Sequence, residues 1–205
     1  MEYRGEQIDE QQLIEFVETN VGFFGLDLTR ISTLLKVQLF IAWTNRYFNV
    51  YAVTDVIKHL ERVGRGTITR EPTPYKNKPL DGLWHVHFFD ANFMMENLIN
   101  EWELRKQNSK KFQEMCMKVA KQEEVSPTAH GWQGRLTHEV VVRGFENKAK
   151  NKNLTGEWLI FGKHEGQNYY LGIFKHSRDK KGDNEIFKEL KKWCDIEFPF
   201  LFESK

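Results

Sequence analysis

The stretch TGEWLIFGKHEGQNYYLGIFKH (Thr155–His176) decides the fold of this chain. Two runs rich in aromatic and branched residues, 157–164 and 169–176, flank the glycine-containing connection 165–168. Aromatic and β-branched side chains favour strand over helix. A short connection with glycine between two such runs is typical of a β-hairpin. The sequence therefore predicts an antiparallel hairpin.

The register of this hairpin follows from where its loop is centred. A loop centred on the second and third connecting residues pairs Glu157 with His176 and Lys163 with Tyr170. Side chains alternate between the two faces of a strand. We therefore expect these four polar side chains to share one face of the hairpin.

A second strand is predicted at GLWHVHFF, residues 82–89. Because side chains alternate along a strand, His85 and His87 lie on one of its faces and Trp84 on the other. Histidine is the side chain whose ordinary pKa lies near neutral pH, so the two imidazoles are candidates for acid–base chemistry.

The first hypothesis is cleavage of RNA through its 2′-hydroxyl. This reaction needs a base, an acid for the leaving oxygen, and cations that stabilise the charged phosphorus centre. His85 or His87 is one candidate partner, and His176 with Glu157 is the other. Lys163 would stabilise the charge. Three further residues are predicted to contact the substrate: Trp84, Arg135 and Tyr170.

Two alternatives remain beside this hypothesis. In one, His85 and His87 chelate a metal ion, with His138 or Glu157 as a third ligand. In the other, the histidines have packing roles and the protein is a non-catalytic binding or immunity protein. The chain has no HExxH, no GxSxG and no glycine-rich nucleotide loop. We therefore expect no cofactor and no resident metal.

Charge is unevenly distributed along the chain, although the net charge is only +1. Residues 1–30 carry seven acidic and two basic side chains, whereas residues 104–192 carry 19 basic and 11 acidic ones. The basic C-terminal half is suited to RNA, and the acidic N-terminal helices are suited to a protein partner.

Composition indicates a cytoplasmic protein. No stretch approaches the roughly 18 apolar residues of a membrane span, and the polar N-terminus does not resemble a signal peptide. The two cysteines, Cys116 and Cys194, lie in unrelated contexts, which favours reduced thiols.

Apolar spacing predicts the α+β class: a helical N-terminal part, and a small antiparallel sheet with helices packed on it. The proline-containing stretch 67–80 is the predicted boundary between a helical subdomain, 1–66, and an α+β domain, 67–205. The aromatic stretch 196–202 is predicted to form a final strand, but Pro199 either restricts that strand to an edge or makes the segment an apolar clamp.

Three segments together resemble a family of uncharacterised bacterial proteins: KPLDGLWHVHFF (78–89), LTGEWLIFGKHEGQNYYL (154–171) and FPFL (198–201). The resemblance covers roughly residues 55–203, and its motif positions include Gly82, Trp84, His85, His87, Gly156, Glu157, Trp158, His164, Asn168, Tyr169, Tyr170 and His176. More loosely, the hairpin and its histidines are similar to toxin-like ribonucleases of the barnase, colicin and RelE kind. That likeness implies a ribonuclease in a toxin or phage-defence setting.

Overall fold

A computed structural model shows the fold, and it describes residues 1–64, 66, 68, 71–88, 90, 92–144, 146–147, 157–175 and 179–203. These residues form seven α-helices, a four-stranded antiparallel sheet and a two-stranded sheet. The predicted α+β class is confirmed. The chain divides into two compact units, residues 1–90 with 156–205, and residues 91–155.

The first unit contains both sheets. Its strands are β1 (Glu2–Tyr3), β2 (Glu6–Gln7), β3 (Thr73–Pro74), β4 (Leu83–His87), β5 (Glu157–His164) and β6 (Gln167–Lys175). Its helices are α1 (Glu10–Thr19), α2 (Thr33–Asn45), α3 (Val50–Leu60) and α7 (Lys180–Cys194). The helices α4 to α6 belong to the second unit. The larger sheet has the order β3-β4-β5-β6.

The hairpin of β5 and β6 closes more tightly than the sequence predicts. Glu165 and Gly166 alone form the turn, with φ of 49° and 77°. Positive φ at both central residues is the mark of the type I′ hairpin turn. Lys163 therefore pairs with Asn168, and its predicted pairing with Tyr170 is wrong.

A β-bulge changes the register further along the same hairpin. Ile160 lies opposite Gly172 and Phe161 lies opposite Tyr170, which leaves Leu171 as an extra residue in β6. Such a bulge moves all later residues of the strand by one position relative to their partners.

Beyond the bulge, Glu157 pairs with Lys175. The tight turn alone would place Glu157 opposite Phe174, and the bulge moves its partner by one residue to Lys175, so the predicted pairing with His176 is wrong. His176 itself lies outside the described residues.

The outer edge of β6 is covered by α2 and the residues before it. The Ser32 amide donates to the Tyr170 carbonyl (2.9 Å), and its hydroxyl donates to the Leu171 carbonyl (2.6 Å). The Gln38 side chain accepts from the Ile173 amide (2.7 Å) and donates to the Ile173 carbonyl (3.0 Å). These bonds occupy backbone groups to which another strand would otherwise bind.

The helices of residues 1–66 belong to the same compact unit as the sheet, so the predicted boundary after residue 66 does not coincide with the division of the structure. Two contacts explain the difference. Arg30 and Glu61 form an ion pair, and Glu61 also accepts a hydrogen bond from Asn168 of the hairpin. The predicted linker 67–80 contains β3, where Thr73 pairs with His85.

The C-terminal residues also contact the sheet. A Cβ atom at Gly162 would lie 2.5 Å from a methyl group of Leu201, so only glycine fits this contact without a shift. The segment Pro199–Leu201 is a 3-10 turn, and the predicted final strand is wrong. Proline lacks the amide hydrogen that a sheet needs, whereas it is well suited to the first turn of a helix.

The second unit is helical in the part that is described. It contains α4 (Asn92–Glu101), α5 (Lys110–Val125), α6 (Gly131–Thr137) and a π-helical segment (His138–Arg143). Its core is formed by Trp102, Met115 and Val119, against which Phe112, Cys116, Leu136 and Val140 pack.

None of the helices in the described ranges combines the length and the apolar character that crossing a membrane requires.

Candidate functional site

Strand β4 places two imidazoles on one face of the large sheet. The ring centroids of His85 and His87 are 6.0 Å apart, and both side chains are half-buried. Trp158 of β5 pairs with His87 across the ladder and shares this face. The alternation that the sequence predicts for these histidines is therefore present.

Trp158 holds both imidazoles. Its indole Nε1 donates a hydrogen bond of 2.9 Å to Nε2 of His87. In this bond, Nε2 of His87 is the acceptor. The His85 ring lies over the same indole, with centroids 4.3 Å apart and planes inclined by 36°. An imidazolium at this position would gain a cation–π interaction.

Tyr75, which follows β3, completes the cluster. Its ring centroid lies 4.7 Å from that of His85 and 5.6 Å from that of Trp158. Its amide donates to the carbonyl of Leu83 (2.9 Å), which fixes the residue beside β4. The phenol oxygen is buried and has no hydrogen-bond partner within the described parts of the chain. Burial raises the pKa of this phenol, and the charge of Asp183 adds to the shift.

Sequence reasoning missed Tyr75 and Trp158 as members of this cluster. In the sequence, Trp158 is a strand former and a motif position of the resemblance, but its contact with β4 depends on a register between distant segments. Tyr75 was assigned to a linker, because the neighbouring prolines favour extended surface chain. The sequence does contain one signal for Tyr75, which directly follows Thr73 and Pro74. A proline within a strand is typical of the edge of a sheet.

Lys163 and Glu157 lie on the opposite face of the sheet from the two histidines. Since directly paired residues share a face, Trp158 places His87 on one side, and its neighbour Glu157 is on the other. Lys163 has the same orientation as Glu157, because both alternate with Trp158 along β5. The structure therefore does not bring Glu157 and Lys163 to the face that carries His85 and His87.

Lys163 instead contacts Trp84. Its ammonium nitrogen lies 3.7 Å from the centroid of the indole ring, a close cation–π contact. Trp84 in turn stacks on Phe161, with centroids 6.4 Å apart. These two predicted site residues thus form one structural pair at the end of the hairpin.

Glu157 is half-buried. Burial raises the pKa of its carboxyl, and the charges of Lys175 and Arg4 oppose the shift. The proton partner expected for it, His176, is not among the described residues.

Tyr170 is 1% exposed and serves the packing of the first unit. Its hydroxyl donates to Glu61 (2.6 Å), which also accepts from Asn168 (3.0 Å) and pairs with Arg30. Burial would raise the pKa of Glu61, but the hydrogen bonds from Arg30, Tyr170 and Asn168 outweigh it and hold the pKa below its ordinary value. The buried position of Tyr170 leaves almost none of its ring to an external ligand.

Arg135 belongs to the second unit, on α6. Its Nε donates to Glu123 (3.0 Å), and its Nη2 donates to the carbonyl of Ser126 (2.7 Å). These two bonds fix the guanidinium beside the C-terminal end of α5.

A metal centre has no preformed ligand set in the described residues, where no group of three or more histidine, cysteine, aspartate or glutamate side chains is placed to hold an ion. His85 and His87 are neighbours. Of the two third ligands considered from the sequence, Glu157 is on the other face of the sheet and His138 belongs to the second unit.

Comparison of the chain with protein-family models, with curated proteins and with solved structures gave no match. The resemblance to a bacterial family therefore stays a prediction, and functional conclusions depend on the chemistry of the side chains.

Proposed function

We propose that this protein binds RNA and cleaves it by general acid–base chemistry at the sheet face that carries His85 and His87. The observation that supports this proposal is the pair of half-buried imidazoles, 6.0 Å apart between ring centroids and held on one side of β4 by Trp158. Imidazole as a side-chain type titrates near neutrality, so that a pair of imidazoles can serve as base and acid in the same reaction.

The reaction is an internal transfer of the phosphodiester. One imidazole removes the proton of a ribose 2′-hydroxyl, and the 2′-oxygen forms a bond to the adjacent phosphorus. The other imidazole donates a proton to the 5′-oxygen as its bond to phosphorus breaks. The products are a 2′,3′-cyclic phosphate and a 5′-hydroxyl end, so that no co-reactant is needed.

Trp158 acts as a positioning residue in this proposal. Its indole hydrogen bond fixes the ring orientation of His87, and its ring supports that of His85. Lys163 is not assigned a role, because it contacts Trp84 on the opposite face.

The direct test is incubation of the purified protein with RNA, with and without a chelator, and with a matched 2′-deoxy oligonucleotide. We expect cleavage of the RNA alone, with cyclic phosphate ends, and a bell-shaped pH profile between about 5 and 8. His85→Ala and His87→Ala should each reduce the rate by about 10²-fold or more. His130→Ala is the control, because His130 is exposed and its side chain does not cap α6.

Circular dichroism establishes whether each variant is folded. Trp158→Phe should change the pH profile while the variant still cleaves, because a phenyl ring cannot donate to His87. Uncut RNA that is nevertheless retarded on a gel would favour the non-catalytic binding protein. Undiminished cleavage by a His85→Ala/His87→Ala double variant would refute the assignment.

A further inference from the structure

The second unit contains an open pocket of about 430 Å³, formed by the C-terminal half of α5, Ser126 and the facing side of α6. Its lining consists of Lys118, Lys121, Gln122, Val125, Ser126 and Arg135. The volume lies within the range of about 300–1,000 Å³ that is typical of small-ligand sites. Every ionisable side chain in this lining is basic.

Helical geometry explains why the lining residues of α5 converge. Lys118, Lys121, Gln122 and Val125 are separated by three, four and seven positions, so they lie on one face of the helix. The adjoining face of α5 is anchored by Met115 and Val119, which are buried in the core of the second unit.

The positive charge of the two lysines is weakly compensated. Lys121 makes no ion pair with any residue in the described part of the second unit, and the nearest carboxylate oxygen to Lys118 is that of Glu139, at 4.0 Å. Glu139 is held more closely by Arg143, at 3.2 Å. Both ammonium groups thus retain capacity to bind an anion.

Arg135 removes an electrostatic obstacle to such an anion. Helices end in carbonyl groups that carry partial negative charge. Here the Ser126 carbonyl accepts a hydrogen bond from Arg135 (2.7 Å), and the nearby Glu123 carboxylate is paired with the same guanidinium (3.0 Å). The negative groups beside the pocket are therefore neutralised from within the protein.

The walls of the pocket are mostly apolar, in contrast to its charged rim. Val125 is 79% exposed, so its methyl groups are accessible to a ligand. A ligand that matches both parts has a flat apolar body and an attached anionic group.

We propose that this pocket binds one nucleotide of an RNA strand, with the base against Val125 and the adjoining phosphates at Lys118 and Lys121. The choice of RNA rests on the proposed function; the apolar wall and basic rim stand independently of it. The pocket belongs to the second unit, and the histidines belong to the first.

Fluorescence anisotropy with a labelled 2′-O-methyl oligoribonucleotide measures this binding without cleavage. In a Lys118→Ala/Lys121→Ala variant we expect affinity to fall several-fold, and the slope of log affinity against log salt to become shallower by about 1.4. The control is Lys106→Ala/Lys111→Ala. It removes the same charge from the same unit, but its lysines are already paired with Glu103 and Glu101.

If both double variants lose the same affinity for the oligonucleotide, RNA is attracted by diffuse positive charge and the pocket is refuted. Unchanged affinity in the Lys118→Ala/Lys121→Ala variant would also refute the pocket. Inorganic polyphosphate tests the apolar wall. Val125→Ser should weaken binding of the oligonucleotide and leave binding of polyphosphate unchanged. A similar loss of affinity for both ligands would show that no base binds against Val125.

The two proposals can fail separately. In a His85→Ala/His87→Ala background, adding Lys118→Ala/Lys121→Ala should still lower the affinity for the 2′-O-methyl strand several-fold, and the lysine variant alone should still cleave a dinucleotide. If the histidine variant still cleaves RNA, the proposed function fails, while the binding measurements still decide the pocket.

Discussion

Tyr170→Phe removes a single oxygen atom from the core of the first unit. That oxygen donates to Glu61 over 2.6 Å and lies in a ring that is 1% exposed. A hydrogen bond to a charged group contributes about 1.5–3 kcal/mol to stability. For a chain of 205 residues, each kcal/mol corresponds to about 2–4 °C in Tm, so we expect a fall of about 3–12 °C.

The neighbouring Tyr169 provides the matched control. Its hydroxyl lies 3.4 Å from a side-chain oxygen of Gln167 in an exposed position, and its ring contacts Phe198 and Phe200. Tyr169→Phe keeps these ring contacts, so the free energy of unfolding should change by less than about 0.5 kcal/mol. Urea denaturation followed by circular dichroism measures both variants.

Equal unfolding free energies for the two variants would show that the bond from Tyr170 to Glu61 contributes nothing measurable. The same variants address the sequence prediction that Tyr170 binds substrate. RNA binding by folded Tyr170→Phe should equal that of the wild type, and a specific loss of binding without a loss of stability would refute the structural role.

Three further perturbations test the packing of the first unit. Because the folded pKa of Glu61 is depressed, its stabilisation is present above the ordinary value of about 4.3 and is lost as pH falls through the lower folded value. The free energy of unfolding should therefore fall less steeply with decreasing pH in Glu61→Gln than in the wild type. Identical slopes against pH in the two proteins would contradict this. Gly162→Ala should cost about 1–3 kcal/mol through overlap with Leu201, and Leu201→Ala in the same chain should recover part of the loss in urea denaturation. Ser32→Ala removes both the cap of α2 and a hydrogen-bond donor to a buried carbonyl. Its Tm should therefore fall further than that of Asp9→Ala, which removes an exposed helix cap worth about 1 kcal/mol. Equal falls in Tm would contradict the double role of Ser32.

The existence of the hairpin could be predicted from sequence, because its aromatic runs have a strong strand preference. Its register could not. The turn residue Glu165 has positive φ, a conformation for which glutamate gives no sequence signal, unlike Asn-Gly or Asp-Gly. At the bulge, the Leu171 carbonyl accepts a hydrogen bond from Ser32, which is 139 positions away in the chain.

The candidate site was predictable only where it is local. His85 and His87 share a face because alternation along one strand requires it. Their relation to Glu157 and Lys163 depends on how β4 and β5 align, and these strands are separated by the whole second unit. No local pattern specifies that alignment, so the predicted convergence across the sheet could not be established from sequence.

Because α2 precedes β6 in the chain, the residues that cover the outer edge of β6 are synthesised before β6 itself. Gln38 is synthesised before Ile173, whose backbone it binds 135 residues later. When the final strand leaves the ribosome, the group that blocks its outer edge is already present in the same chain. A fragment that begins after residue 66 lacks this protection, and we expect its sheets to join edge to edge and aggregate during synthesis.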